Sequence, residues 1–150
     1  MIRGLGLAAL ALATSAGAGA HPAKDCAETG RNRALVAAFA HRFYDLRDVR
    51  GAFDRYVAPG YIQHNPAIAD GRDAAIAALS PMFSGRNAHF EVKRIIVDGP
   101  YAVIHLHGTS DAGPGGAVAD IYRIAHGRIV EHWDVLEPIA PATVNPHPYF

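Results

Sequence analysis

The chain has 150 residues, half of them hydrophobic, with 14 basic and 14 acidic side chains and a formal net charge of zero. This length suits one domain with its own core. The balanced charge gives no electrostatic case for nucleic acid or an anionic membrane surface as a partner. A single cysteine, Cys26, excludes an intrachain disulfide and a cysteine-based zinc site.

The first twenty residues have the layout of a secretory signal peptide. One basic residue, Arg3, precedes an apolar run and then small residues that end before His21. The run is shorter than the ~20 apolar residues that span a bilayer, so a short membrane anchor is the weaker alternative. We expect residues 1–20 to be removed, giving a periplasmic or secreted protein without membrane contact. Residues 21–30 are polar and are expected to be loose.

Three helices are predicted to follow. The first begins at Asn32, and its apolar face repeats every four residues: Leu35, Phe39 and Phe43. Asp48 caps the second helix, which ends at Pro59-Gly60. The third helix follows Asp70-Gly71, and Pro81 is expected to kink or end it.

The second half of the chain predicts four antiparallel strands, at residues 90–96, 101–109, 118–124 and 129–136. A turn at residues 98–100 joins the first two, and the glycine-rich residues 110–116 form a flexible connection. The proline-rich tail, residues 138–150, is neither helix nor central strand. Helices followed by a meander of strands indicate an α+β fold.

The last predicted hairpin determines which side chains share a face. A three-residue loop with Gly127 in a left-handed bulge pairs Ile124 with Arg128 and Asp120 with His132. Side chains alternate along a strand, so one face is mainly polar: Asp120, Tyr122, Val130, His132 and Asp134. The other face is apolar: Ala119, Ile121, Ile129 and Trp133. A two-residue loop would reverse this relation between the two strands.

The two faces predict a pocket and an interface. A polar set on the concave side of a sheet under helices would line a pocket, and an apolar outer set would form a subunit interface. On the preceding strand His105 and His107 are two residues apart, so they point the same way as Val103 and opposite to Ile104 and Leu106.

Three motifs resemble one known family. YIQHNP at residues 61–66, VIHLHGT at 103–109 and DIYRIAHGRIVEHWDV at 120–135 resemble the SnoaL-like group of the nuclear transport factor 2-like superfamily. The similarity to this group spans residues 32–137, and a bacterial subgroup of predicted aldol-condensation enzymes is a closer match than the polyketide cyclases. The resemblance implies a cone-shaped curved antiparallel sheet packed on three N-terminal helices (also called cystatin-like), with one deep pocket. It also implies a homodimer through the outer sheet face.

The resemblance also suggests site residues. In the polyketide cyclases of this group an aspartate at the end of the last strand is the general acid/base of an aldol closure, and it matches Asp134. Their assisting histidine is replaced here by Asp120, a departure from the pattern. An asparagine beside a proline matches Asn65-Pro66.

The resulting hypothesis is acid/base chemistry, without a cofactor, on a small carbonyl compound, of the aldol or lyase/isomerase kind. A base removes a proton next to the carbonyl, and hydrogen-bond donors hold the enolate. The hypothesis takes Asp134 as base, Asp120 as its partner, and His64 with His105 as polarising or proton-shuttling groups. The expected substrate-binding residues are Tyr61, Asn65, His107, Tyr122 and His132.

Several alternatives remain open on the sequence. Asp134 fits a strand end that takes only backbone or solvent contacts, and Asp120 fits an ion pair with Arg42. The pocket could bind a small hydrophobic ligand without catalysis. A divalent metal site is a further alternative, with ligands drawn from the histidines and one carboxylate: His64, His105, His107 and Asp120.

Overall fold

The computed structural model describes residues 22–110 and 113–150. The expected signal peptide, residues 1–20, lies outside the described residues, as does part of the connection expected at residues 110–116. Within the described ranges, no helix is long and apolar enough to cross a membrane. The expected α+β class is confirmed, with helices packed on one face of a five-stranded open sheet.

The first helix, α1, spans Pro22–Ala40 and continues into a π-helical turn at His41–Asp45. It therefore starts earlier than Asn32, and the expectation of a loose stretch is wrong for residues 22–30. Two hydrogen bonds to the turn between two strands hold this part of the helix. The Asn32 side chain donates to the Gly99 carbonyl at 2.8 Å, and the Gly99 amide donates to Thr29 Oγ1 at 3.1 Å.

The second helix, α2, spans Val49–Tyr56 and begins at the expected cap. Asp48 accepts a hydrogen bond from the Gly51 amide at 2.9 Å and one from Arg42 Nε at 2.7 Å. These bonds, the Gly51 amide first, lower the pKa of the Asp48 carboxyl. In this way Asp48 caps α2 and stabilises the first turn of the helix.

The third helix, α3, spans Arg72–Ser84 and passes through Pro81. Of the two outcomes expected at Pro81, a kink or an end of the helix, the end is therefore wrong. Pro81 lacks the amide hydrogen that a helix residue donates to the carbonyl four residues earlier. In the same turn the Ser80 hydroxyl donates to the Ile76 carbonyl at 2.6 Å. The helix carries Ala75, Ile76 and Phe83 into the core.

The sheet has the strand order β1-β5-β4-β3-β2. One strand was not predicted: β1 runs parallel to β5, so the sheet is mixed rather than wholly antiparallel. β1 includes the Pro59-Gly60 pair that was expected to end the second helix, and that helix ends before it, at Tyr56. The strand bounds are β1 Val57–Gln63, β2 His89–Asp98, β3 Tyr101–Ser110, β4 Gly113–Ala125 and β5 Arg128–Pro138.

The hairpin between β4 and β5 has a two-residue loop rather than the expected three. His126 and Gly127 both have positive φ, 52° and 69°, as a type I′ turn requires. The expected pairs Ile124–Arg128 and Asp120–His132 are therefore wrong. Asp120 lies opposite Asp134, and Tyr122 lies opposite His132.

An irregularity in β5 nevertheless preserves the expected polar face. Arg123 pairs with Glu131 but Ile124 pairs with Ile129, so Val130 is an extra residue in β5. The two-residue loop moves the pairing of β5 with β4 by one residue from the expected register, which alone would turn the β5 side chains to the opposite face. The bulge moves the pairing by one more residue and turns them back. Ile129, expected on the outer face, lies instead on the core side of the bulge and is fully buried.

The core lies between the helices and the inner face of the sheet. Helical aromatic rings stack there, with centroids 4.3 Å apart for Phe43 and Phe83 and 5.2 Å apart for Phe39 and Phe43. The sheet contributes buried residues from β3, β4 and β5: Ala102, Ile104, Leu106, Tyr122, Ile124 and Ile129. This packing places the polar face of β4 and β5 under the helices.

Candidate functional site

A cavity of about 520 Å³ opens between the helices and the inner face of the sheet. Its walls are largely apolar and include Phe43, Leu79, Met82, Phe83, Phe90 and Leu106. Polar side chains from β1, β4, β5 and the loop after β1 also line it: Gln63, Asn65, Asp120, Tyr122, His132 and Asp134. Volumes of this size suit a small organic ligand.

Asp134 and Asn65 form one contact in this wall. The Asn65 Nδ2 group donates to Asp134 Oδ2 at 2.5 Å. The orientation of the amide is fixed from behind, because Asn65 Oδ1 accepts the Ala67 amide hydrogen at 2.9 Å. The Ile68 amide donates to the Asn65 carbonyl at 3.1 Å, closing a turn around Pro66. The turn thus aims the Asn65 NH₂ group at the carboxylate.

Asp120 is buried and hydrogen-bonded through both of its oxygens. Tyr44 donates its hydroxyl hydrogen to Asp120 Oδ2, and His132 Nε2 lies 3.2 Å from Asp120 Oδ1. The Tyr44 and Tyr122 hydroxyl oxygens are 2.9 Å apart. Since Tyr44 gives its one hydrogen to Asp120, Tyr122 donates to Tyr44. The alternative partner Arg42 instead binds Asp48.

The three phenols beside Asp120 stay protonated. Burial, and then the Asp120 carboxylate, raises the pKa of Tyr44 and of Tyr122 well above the usual value for tyrosine. The same two causes, in the same order, raise the pKa of Tyr61. All three groups are therefore hydrogen-bond donors near neutral pH.

His132 joins this group to β1. Its Nδ1 lies 2.8 Å from Gln63 Oε1, and that same oxygen accepts the Asn65 amide hydrogen at 3.0 Å. Gln63 Nε2 is 3.5 Å from the Tyr61 hydroxyl. A continuous set of hydrogen bonds thus runs from Asp134 through Asn65, Gln63 and His132 to Asp120.

Six of the nine expected substrate-binding or catalytic residues line the cavity: Tyr61, Asn65, Asp120, Tyr122, His132 and Asp134. His64 does not line it. Its ring stacks on Trp133 at 4.7 Å, and its Nε2 lies 2.8 Å from Glu131 Oε1. Tyr61 and Gln63 point to the core side, so alternation along the chain turns His64 to the other side.

His105 and His107 also lie away from the cavity, contrary to expectation. Both rings pack against Phe150 of the C-terminal tail, with centroids 5.3 Å apart in each case. The reason is the burial of the alternating residues Ile104 and Leu106, which are 0% and 2% exposed. Burial, and then Arg94 and Lys93, lowers the pKa of His105.

The described residues contain no group of three or more histidine, cysteine, aspartate or glutamate side chains arranged to hold a metal ion. The proposed set is divided between two faces of the sheet: Asp120 lines the cavity, whereas the rings of His64, His105 and His107 pack elsewhere. The alternative of a shared metal site formed by these four residues is therefore wrong.

Sequence reasoning missed Tyr44 and Gln63. Tyr44 follows Phe43 in the predicted apolar face, and both are buried because the π-helical turn presents successive residues to the core. Gln63 lies in the YIQHNP motif, residues 61–66. It is two residues from Tyr61, so in a strand the two side chains point to the same face of the sheet, and a strand assignment for this segment would have predicted that.

Solved structures share this architecture. An NTF2-like protein of unknown function from Mesorhizobium loti is 20% identical, with 74% of this chain and 94% of that chain covered and a TM-score of 0.65. A proposed ketosteroid isomerase from Kribbella flavida is 18% identical, covering 79% and 86%, with a TM-score of 0.59. A proposed SnoaL-like polyketide cyclase from Jannaschia sp. CCS1 is 20% identical, covering 81% and 92%, with a TM-score of 0.58.

At these identities the structures establish the fold alone. Comparison with curated proteins gave no match. The SnoaL-like domain family, in contrast, matches residues 32–132 of the sequence itself. That range holds α2, α3, β1 to β4, the last nine residues of α1 and the first five of β5. The match confirms the resemblance seen in the motifs, and the chain belongs to the SnoaL-like domain family.

Proposed function

We propose that the cavity carries out cofactor-independent acid/base chemistry on a small carbonyl compound, of the aldol, lyase or isomerase kind. The observation that carries the proposal is the Asp134 carboxylate, set in a largely apolar wall and held by Asn65 at 2.5 Å. One oxygen is engaged by Asn65, and the other is the proposed proton acceptor. A fixed carboxylate next to a bound carbonyl compound can remove a proton from the adjacent carbon.

The pair of Asp120 and His132 is the proposed partner of this base. The two side chains are 3.2 Å apart and share a contact that needs one proton. With a further proton on His132 Nδ1, the pair has no net charge whether the shared proton is on the imidazole Nε2 or on the carboxyl group. An enolate oxygen placed beside it therefore meets a proton donor rather than a second negative charge. In the sheet Asp120 lies directly opposite Asp134, so both groups reach one bound molecule.

The lining also limits the substrate. No lysine or arginine is among the described residues that line the cavity. A carboxylate or phosphate group on the ligand would therefore be buried without a cationic partner, which is costly. The aromatic wall of Phe43, Phe83 and Phe90 favours an apolar body. We infer an uncharged, mainly hydrophobic ketone or aldehyde.

Proton exchange on a suitable ketone tests the proposal. 2-Tetralone is uncharged and bicyclic, and 2-naphthol resembles its enol. The wild type is expected to accelerate deuterium exchange next to the 2-tetralone carbonyl, followed by NMR. Asp134→Asn should lower that rate by on the order of 100-fold or more, while 2-naphthol binding, followed by fluorescence, persists.

Asp73→Asn is the matched control, because its side chain is 88% exposed on α3. It should leave exchange and binding unchanged. Full exchange activity in Asp134→Asn would refute the role of the carboxylate. Binding of 2-naphthol without any acceleration by the wild type would favour the second candidate, a non-catalytic hydrophobic ligand-binding protein, which the largely apolar wall also fits.

We further propose that the protein is exported to the periplasm or secreted, as residues 1–20 indicate, and that it forms a homodimer. Mass spectrometry of the exported protein should find His21 at its N-terminus. Support for the dimer comes from an apolar row on the outer sheet face, formed by residues that pair across four strands: Ile96, Val103, Ile121 and Trp133.

A further inference from the structure

We propose that Gln63 is a positioning residue that keeps a proton on His132 Nδ1 and so presents Nε2 to Asp120. Gln63 is buried at the end of β1 and lies beside His132 in the parallel register with β5. Its catalytic consequence rests on the proposed function, but the proton position itself does not.

Two hydrogen bonds fix which atom of the Gln63 amide faces His132. The backbone amide of Asn65 donates to the Gln63 side chain at 3.0 Å, so the atom that accepts it is oxygen, not nitrogen. His132 Nδ1 lies 2.8 Å from the same oxygen. A bare Nδ1 lone pair would face that oxygen as a second acceptor, so Nδ1 carries a hydrogen.

The backbone holds this arrangement in place. The backbone N–H of Gln63 donates to Asp70 Oδ1 at 2.8 Å, and the backbone N–H of His64 donates to the backbone carbonyl of His132 at 3.0 Å. These bonds tie the end of β1 to the loop before α3 on one side and to β5 on the other. The Gln63 oxygen therefore has little freedom to leave His132.

The consequence concerns the second ring nitrogen. With Nδ1 bonded to Gln63, only His132 Nε2 can exchange a proton with Asp120 Oδ1, 3.2 Å away. In the opposite tautomer the hydrogen would stay on Nε2 and point at Asp120. Nδ1 would then have no hydrogen and would face the Gln63 oxygen. Gln63 thus allows one proton to move between His132 Nε2 and Asp120 Oδ1. Groups that bind the other nitrogen of a catalytic imidazole act in this way.

The test reads the His132 ring nitrogens directly by ¹⁵N NMR of the full-length protein at neutral pH, without any substrate. The His132 signals are assigned by their loss in His132→Gln. In the wild type Nδ1 should be protonated. Gln63→Leu removes the acceptor and should leave Nδ1 without a proton. Gln63→Glu restores a carboxyl oxygen at that place and should keep Nδ1 protonated.

An unprotonated Nδ1 in the wild type, or a protonated Nδ1 in Gln63→Leu, would overturn the proposal. If Gln63→Leu does not fold, the wild-type spectrum decides alone by the same criterion. The exchange rate of 2-tetralone gives the catalytic readout, with a loss on the order of 100-fold in Gln63→Leu and recovery in Gln63→Glu. A protonated Nδ1 in an enzyme without exchange activity would refute the proposed function and support the role of Gln63.

Discussion

At the scale of single residues, Tyr44 connects the core to the cavity. It is 3% exposed, donates to Asp120 and accepts from Tyr122. Its ring packs on the core rings while its hydroxyl reaches the polar wall: the ring of Phe43 lies 4.6 Å away, centroid to centroid. One side chain therefore contributes both packing and a hydrogen bond to the site carboxylate.

Removing the hydroxyl while keeping the ring separates these contributions. Tyr44→Phe leaves the buried Asp120 carboxyl and the Tyr122 hydroxyl each short of one partner. We expect the free energy of unfolding to fall by about 1–3 kcal/mol, the cost of unsatisfied buried polar groups. Urea denaturation measures it.

The control for this change is Tyr101→Phe, which removes the same hydroxyl from a side chain that is 49% exposed. Its effect should stay within about 0.5 kcal/mol. Equal stability of Tyr44→Phe and the wild type would show that the Tyr44 hydroxyl contributes nothing to the folded state.

The sequence predicts some of these residues and not others for physical reasons. Asn65 stands beside a proline, and Asp134 is two residues from His132 in a predicted strand, so the local setting of both residues is visible in the sequence. His105 and His107 have a spacing that fixes a shared face but not which face. The packing of Ile104 and Leu106 into the core decides that, and it depends on the whole sheet.

At the scale of elements, the hairpin of β4 and β5 places the site. Its two-residue loop and the extra Val130 together put Asp120 opposite Asp134. The sequence shows the glycine of the loop, but the loop length and a bulge are not visible in alternation alone. The strand β1 was missed for a related reason, because Pro59-Gly60 is typical of a helix end, whereas an edge strand tolerates both residues.

Gly127 is the residue that this loop requires. Its φ is 69°, and beyond its two chain neighbours no heavy atom lies within 4 Å of the place where a Cβ would stand. Gly127→Ala therefore meets no clash, and its cost is the left-handed backbone alone, roughly 1–2 kcal/mol. Thermal unfolding should show the corresponding fall in melting temperature.

Gly60→Ala supplies the comparison. Gly60 also has open space around its Cβ position but lies in β1 without a positive φ. The same added methyl group should be neutral or slightly stabilising there, since alanine restricts the unfolded chain. A loss at Gly60 as large as that at Gly127 would contradict the argument from φ.

At the scale of the whole molecule, the sheet separates two surfaces. The inner face carries the cavity, and the outer face carries the row Ile96, Val103, Ile121 and Trp133. Ile96 in this row is 56% exposed, and the neighbouring Val135 is 62% exposed. Phe150 packs on the outer face against His105 and His107, beside the row. Burying such side chains between two subunits would be worth roughly 1.5–3 kcal/mol for each one fully buried.

The proposed homodimer can be tested at the centre of this row. Ile121 pairs with Val103 on one side and Trp133 on the other, so Ile121→Glu places a charge in the middle of the interface. Light scattering after gel filtration should give twice the chain mass for the wild type and a single chain for Ile121→Glu. Val144→Glu, at a fully exposed tail residue, should remain dimeric. A monomeric wild type would refute the dimer. A folded Ile121→Glu variant that remains dimeric would place the interface elsewhere, because an unpaired charge buried at that position is strongly unfavourable.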